Sequence, residues 1–471
     1  MRKLLLLISF CLPAFAQAQT LSQRLINAFG KLQQDSQCRY ASVSLTVLDA
    51  KTGEPIFAAN PDMGMATAST LKTITTITAF NVLGKDYQFK TDLNYSGNID
   101  ANGILNGDLV IKGSGDPTLG SWRYETTKEA VILSTWVDAI RKAGIKHING
   151  RIVGDVSLFD SQSIPDGWIW QDLGTYYGAG TSALCWRENQ FDIKLHTGSP
   201  GDPVTVTGTV PAMPYLSFKS ELTTGDPGTG DNAYSYLPLA NNLMYLRGTY
   251  ASDQTKHSIS AAVPDPAFDA AFRLTDTLKR LGIDVANDAL SSLSAAEQRI
   301  TIAPADKLLV SYYSPKLSQI IYWLNQKSIN LYAEQLLKMI AIGSGKKAST
   351  DNGITALHDF WKAKGIDPHS LNIIDGCGLS PEDRVTTSTL AHILQSARGT
   401  DFFPEFYESL PTYNNMKMKS GSISRVLCYA GFHTTPSGRE VCFSIMVNNY
   451  NGKTSGIKQK MFTLLDELKA P

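Results

Sequence analysis

Residues 68–76 read Ala68-Ser69-Thr70-Leu71-Lys72-Thr73-Ile74-Thr75-Thr76 and open an apolar run that closes at Gly84. On a helix, positions three apart share a face, so the Ser69 hydroxyl and the Lys72 amine come within hydrogen-bond reach. Leu71, Ile74, Ile77, Ala79, Phe80, Val82 and Leu83 surround most of the cylinder, the pattern of a helix buried inside a domain. A lysine enclosed by apolar walls or facing other positive charge loses affinity for its proton and becomes a base for a neighbouring hydroxyl. A serine in the first turn of such a helix also meets free backbone N–H groups and the positive end of the helix dipole, which favour developing negative charge. Ser-x-x-Lys alone recurs by chance in many chains, so the surrounding sequence has to decide.

Immediately upstream, Val43, Leu45 and Val47 alternate with polar residues, 49–53 supplies a turn, and Pro55-Ile56-Phe57-Ala58 continues: two strands of an antiparallel hairpin. Before it, Leu21, Leu25, Ile26, Phe29 and Leu32 have helical spacing. At the other end of the chain, Lys417-Met418-Lys419-Ser420-Gly421-Ser422-Ile423 leads into strands over 427–434 and 440–448, joined by the turn Pro436-Ser437-Gly438-Arg439, and a helix over 455–468. The two ends therefore read as one α+β domain sharing an antiparallel sheet flanked by helices. Between them, 88–300 is dominated by short alternating segments punctuated by Gly, Asn, Asp and Pro, with helical patterns at 128–143 and 268–281. This is an inserted β-rich region, expected to form two domains, and insertion into a loop is tolerated because closure entropy grows slowly with length. Helical periodicity returns over 314–342 and contains Ser328-Ile329-Asn330, whose outer residues point the same way if the segment is extended.

Residues 1–18 have a charged start, the apolar run 4–15 and Ala16-Gln17-Ala18, the layout of a secretory signal cut after Ala18. Phe10 before Cys11 is too bulky for a lipoprotein signal, and no later apolar run is long enough to span a bilayer. The expected organisation is 1–18 leader, 19–87 first part of the main domain, 88–300 insertion and 301–471 second part. Lys plus Arg equals Asp plus Glu at 43 each, so no net charge recruits nucleic acid or an anionic membrane. The cysteines beyond the leader, Cys38, Cys185, Cys377, Cys428 and Cys442, are scattered and odd in number, which argues against a disulfide framework or a zinc site. A single bridge, such as Cys428 to Cys442, stays open. The seven histidines are dispersed, so neither a metal nor another cofactor is expected. Gly113-Ser114-Gly115-Asp116-Pro117-Thr118 lacks the third glycine and the Gly-Lys-Ser/Thr of a phosphate loop and reads as a turn.

Three elements thus stand in order: Ser69-Thr70-Leu71-Lys72, Ser328-Ile329-Asn330 and Lys419-Ser420-Gly421 at the start of a strand. Together they resemble the ordered motif set of the serine penicillin-recognising enzymes. The long interval between Lys72 and Ser328, with Gly107-Asp108-Leu109-Val110, Gly115-Asp116-Pro117-Thr118-Leu119 and Asp375-Gly376-Cys377-Gly378-Leu379-Ser380, resembles the class C low-molecular-mass penicillin-binding proteins. Those are D-alanyl-D-alanine carboxypeptidases and endopeptidases, and the likeness runs over essentially the whole chain beyond the leader.

The resemblance implies a serine β-lactamase/DD-transpeptidase-like domain with inserted domains. It implies peptidoglycan stem peptides as substrate, β-lactams as acylating inhibitors, and a periplasmic or secreted location. It also implies roles: Ser69 as nucleophile, Lys72 as base, Ser328 as proton relay to the leaving amine, and Asn330 as holder of the substrate amide and of Lys72. Lys419 would attract the substrate carboxylate, Ser420 would bond it, and the N–H groups of Ser69 and of Ser422, which follows Gly421, would form the oxyanion hole. Ile329 stands where many relatives have Asp, Ser420 where Thr is commoner, and Cys377 where Ser is frequent. In Cys185-Trp186-Arg187-Glu188-Asn189, Glu188 is the acid expected to read the amino group of the stem's third residue. A β-lactamase would need a deacylation base, and no Glu-x-x-Leu-Asn stretch occurs; a non-catalytic wall binder would not need every polar motif residue; a Ser-His-Asp hydrolase would need a Gly-x-Ser-x-Gly elbow, which is absent.

Overall fold

The computed structural model describes residues 20–237 and 242–470, so the expected leader lies outside the described residues. The ends of the chain meet in one six-stranded sheet with the order Pro55–Ala59, Ser42–Asp49, Glu440–Asn448, Val426–Thr434, Met416–Ile423, Thr412–Tyr413, antiparallel throughout. The three central strands are buried on both faces, and their alternate residues serve different cores. Val43, Leu45, Val47, Phe443 and Ile445 pack with the terminal helices Leu21–Gln33 and Thr454–Leu465. The polar residues between them do not face water, because Ser44 and Thr46 bond Thr387 on the helix Thr387–Ala397 at 2.6 and 2.9 Å.

Ala68–Thr70 forms a single 3-10 turn running into the helix Leu71–Leu83, of which every residue from Leu71 to Phe80 is buried. Its threonines survive there by bonding inward: Thr73, Thr76 and Thr78 donate to carbonyls of the preceding turn and Thr75 donates to Gly376. The periodic stretch 314–342 proves to be two helices, Leu317–Lys327 and Asn330–Gly343, broken where Ser328 adopts left-handed backbone at φ 56°.

The insertion holds two β units. One joins a five-stranded sheet (Leu290–Ser291, Ile152–Asp155, Leu109–Lys112, Lys90–Tyr95, Lys307–Tyr313), a four-stranded sheet of short strands and the helices Glu129–Lys142 and Pro266–Arg280. The other pairs two three-stranded sheets around a core of its own. The boundary expected at 300 precedes the last strand of the first unit: Lys307–Tyr313 pairs with Lys90–Tyr95, because that strand has a free edge at the root of the insertion. The Gly-rich stretch is a turn in which Asp116 accepts the N–H and hydroxyl of Thr118. The five cysteines beyond the leader are free, and Cys428 and Cys442 are not register partners, Cys442 standing opposite Phe432. Among the described residues no helix is long and apolar enough to cross a membrane.

Candidate active site

A cleft of about 760 Å³ lies between the main domain and the insertion, lined by Ser69, Ser328, Asn330 and Ser422 on one side and by Ile169, Asp172 and Tyr234 on the other. Ser69 reaches it from a strained turn. Ala68 has φ 43°, a left-handed setting that costs an alanine roughly 1–2 kcal/mol. Two glycines clamp that turn: a Cβ on Gly378 would sit 1.9 Å from the Ala68 carbonyl oxygen, and one on Gly421 would sit 2.8 Å from the Ser69 nitrogen. Only glycine lets the strand Met416–Ile423 press so close.

Lys72 is wholly buried beneath Ser69, its Nζ 3.0 Å from Ser69 Oγ, 2.6 Å from Asn330 Oδ1 and 2.8 Å from the Cys377 carbonyl. Asn330 donates through Nδ2 to the Tyr177 carbonyl at 2.8 Å, which fixes its oxygen toward the lysine. Asn330 Oδ1 and the Cys377 carbonyl can only accept, so they take the two N–H bonds of a neutral amine and turn its lone pair toward the Ser69 hydroxyl. Burial pushes the Lys72 amine below the ordinary lysine range. An amine in that state can take the proton of the serine.

Lys419 is also buried, donating to Ser328 Oγ at 2.9 Å and to the Ser420 carbonyl at 2.8 Å. Burial, and then the nearby Lys72, push its amine well below the usual range, so the two amines compete for positive charge. The left-handed backbone of Ser328 turns its hydroxyl onto Lys419. Ser69, Ser328, Asn330 and Ser422 therefore line the cleft, Lys72 and Lys419 lie under it and Gly421 abuts the nucleophile turn, while half-buried Ser420 is not part of the wall.

Glu188 does not stand free for a ligand. Its buried carboxylate accepts from Ser121, Arg123 and Tyr332 at 2.7, 2.7 and 2.8 Å, with a second Arg123 bond at 3.0 Å. The expectation that it reads an amino group is corrected: a bidentate guanidinium already neutralises it. Glu188 and Arg123 line the cleft as a paired couple, and the acid of the opposite wall not held by an arginine is Asp172, bonded by the Tyr177 hydroxyl at 3.2 Å and raised above the ordinary carboxyl range by burial. Nothing in the sequence around it marked it.

Behind Lys72, Glu334, Asp375 and Cys377 bring ligand atoms within 4.8 Å of one another. As a metal site the trio fits poorly. Asp375 already receives N–H bonds from Trp168, Cys377, Gly378 and Ser380, and Glu334 receives that of Gly376. They brace the 375–380 loop that delivers the Cys377 carbonyl. Burial raises the Glu334 carboxyl to about 8, so it largely keeps its proton at neutral pH. The i+4 spacing from Asn330 to Glu334 is the sequence signal that would have found it.

Residues 27–468 match the D-Ala-D-Ala carboxypeptidase 3 (S13) family. The chain is 27% identical over 472 residues to a D-alanyl-D-alanine carboxypeptidase DacB of Haemophilus influenzae, covering 95% of this chain and 91% of the relative. It is 25% identical over 447 residues to a D-alanyl-D-alanine carboxypeptidase of Actinomadura sp., covering 89% and 80%. The crystal structure of penicillin binding protein 4 from Haemophilus influenzae superposes with a TM-score of 0.78 at 24% identity, covering 94% of this chain and 99% of that one. The same protein complexed with a novel β-lactam gives 0.73 at 22% identity, covering 95% and 100%. The fold is thus the α+β fold of penicillin-binding protein 4 with its insertions.

Proposed function

The chain belongs to the D-Ala-D-Ala carboxypeptidase 3 (S13) family, and on that premise we propose how its own residues carry out serine DD-peptidase chemistry on peptidoglycan stem peptides. Ser69 Oγ attacks the carbonyl of the penultimate D-Ala, or of a D-Ala cross-link, as its proton passes to Lys72. The oxyanion settles between the N–H groups of Ser69 and Ser422. A proton then moves through Ser328 to the leaving amine, the C–N bond breaks, and water hydrolyses the Ser69 ester. Lys419, beside Ser420, supplies the positive field for the terminal carboxylate of the substrate.

The observation that carries this reading is the orientation of the Lys72 amine, whose two bonds to acceptor-only oxygens leave its lone pair for Ser69. Across the cleft, Asp172 is the acid available to a cationic side chain at the third position of the stem. The substrate belongs to the cell wall, so the enzyme works outside the cytoplasm, in the periplasm or secreted, delivered by the leader at 1–18.

Intact-protein mass spectrometry after incubation with benzylpenicillin, with peptide mapping and a D-alanine release assay, tests the reading. A stable adduct on Ser69 with D-alanine release from a D-Ala-D-Ala peptide is expected, and both vanish in folded Ser69→Ala. A rapidly lost adduct without D-alanine release would point to a β-lactamase. D-alanine release by Ser69→Ala would sink the assignment.

A further inference from the structure

The outer face of the second β unit carries a ladder of fixed aromatic rings. Asp231–Tyr236 pairs with Leu243–Ala251 so that Tyr236 stands opposite Tyr245 and Tyr234 opposite Arg247, and Glu221 of the neighbouring strand lies beside Arg247. The period of two puts these side chains on one face while Leu222, Met244 and Leu246 fill the core. Trp170, from the short helix Trp170–Leu173, lies on Tyr236 with ring centroids 4.6 Å apart. The Arg247 guanidinium sits over Trp170, Tyr236 and Tyr245 at 5.9, 5.4 and 5.8 Å and is held by Glu221 at 2.7 Å. Trp170 and Tyr245 nevertheless remain 45% and 37% exposed. Rings already immobilised by a sheet and an ion pair lose little further side-chain freedom on binding. The ladder is continuous with the cleft, since Tyr234 on the same face lines it, as do Ile169 and Gln171 on either side of Trp170.

We propose that this ladder is a carbohydrate platform that takes the N-acetylated aminosugar strand bearing the stem peptide held in the cleft. The proposal rests on the DD-peptidase reading, because in that substrate the peptide is covalently joined to a glycan and the surface next to the cleft meets sugar. A pyranose presents an apolar C–H face to stack on an aromatic ring and hydroxyl and acetamido groups at its edge. A neutral, polar ligand also suits a face whose central cation is matched by a carboxylate. A protein partner would favour a centre depleted of charge, and here the centre is an ion pair. A polyanion would meet Glu221. Because sugar and peptide are linked, even a weak contact at the ladder raises the effective concentration of the stem peptide at Ser69.

Tyr245→Ala and Trp170→Ala are compared with the parent in four measurements. These are acylation by benzylpenicillin, D-alanine release from a sugar-free peptide ending in D-Ala-D-Ala, D-alanine release from glycan strands carrying the same peptide, and binding of peptide-free glycan strands. Both variants are expected to keep the first two within about twofold and to raise KM on the strand-borne substrate about tenfold, with a similar loss of glycan binding. Equal losses on the two substrates overturn the proposal, as does failure of the parent to bind peptide-free strands or undiminished binding by both variants. A parent that is neither acylated nor releases D-alanine defeats the DD-peptidase reading instead, and the glycan-binding arm still decides the platform by itself.

Discussion

Lys72 has a side chain long enough to reach water and is instead sealed under the cleft with three oxygens around its amine. The base form is the neutral amine, present above the folded pKa, and burial places that pKa below the ordinary lysine range. Acylation by benzylpenicillin therefore persists to lower pH than an ordinary lysine would allow and falls as the pH drops through the folded pKa of Lys72. A stopped-flow pH series checks this, and a rate that develops only near pH 10 would contradict it. Lys72→Arg puts a fixed positive charge in place of the amine, and a guanidinium that cannot lose its proton cannot act as base, so acylation drops by about 10²–10⁴-fold. The serine, the lysine and their spacing were legible in the sequence because a helix converts spacing into distance. The Cys377 carbonyl was not, since a backbone acceptor has no residue type to announce it, and Glu188 misled because composition cannot show that Arg123 occupies it.

At the scale of elements, the helix Asn330–Gly343 presents Asn330 to the cleft and Glu334 to the loop behind Lys72. Glu334 Oε2 is buried without a hydrogen-bond partner, in keeping with a carboxyl that keeps its proton. Its folded pKa of about 8 lies above the ordinary 4.5, so the folded state holds a proton that the unfolded chain releases. The stability contribution is fully present below about pH 4.5 and is lost as pH rises through about 8. Glu334→Gln cannot ionise. Its denaturant midpoint is expected to match the parent near pH 4 and to exceed it at pH 8, by the order of a few kcal/mol in unfolding free energy. A parent and variant with parallel pH profiles would refute this. The helix pair flanking Ser328 was legible only as one periodic stretch, because a left-handed serine leaves no mark in hydrophobic periodicity, whereas glycine would have. The strands 427–434 and 440–448 were legible from the turn Pro436-Ser437-Gly438-Arg439 between two apolar runs, while Lys307–Tyr313 was missed because its partner lies more than 200 residues away.

Across the whole molecule, the Glu188 cluster is the rivet between insertion and main domain. Ser121, Arg123 and Glu188 come from the insertion, and Tyr332 belongs to the helix that starts at Asn330. Removing the guanidinium in Arg123→Met leaves a buried carboxylate without its counter-ion, at a cost of about 3–5 kcal/mol. A lower melting temperature is expected, together with slower acylation, because the Asn330 wall of the cleft loses its brace. The double variant Arg123→Met/Glu188→Gln, with the charge removed from both sides, should recover part of both losses. Calorimetry and acylation rates on the three proteins decide it, and no recovery in the double variant would count against a charge-based role.

The order of the six-stranded sheet also governs when the enzyme comes into being. Among the described residues Ser42–Asp49 is the first strand synthesised, yet it joins the sheet through Glu440–Asn448, the last. Closure over so long a stretch of chain is slow and leaves strand edges unpaired while it waits. Gly421, which presses against the nucleophile turn, arrives with the same late strands. A chain still being made or threaded across a membrane thus carries the serine without the surroundings that make it reactive. Topology here acts as a timer, and the hydrolase gains a reactive serine only after its final strand is in place.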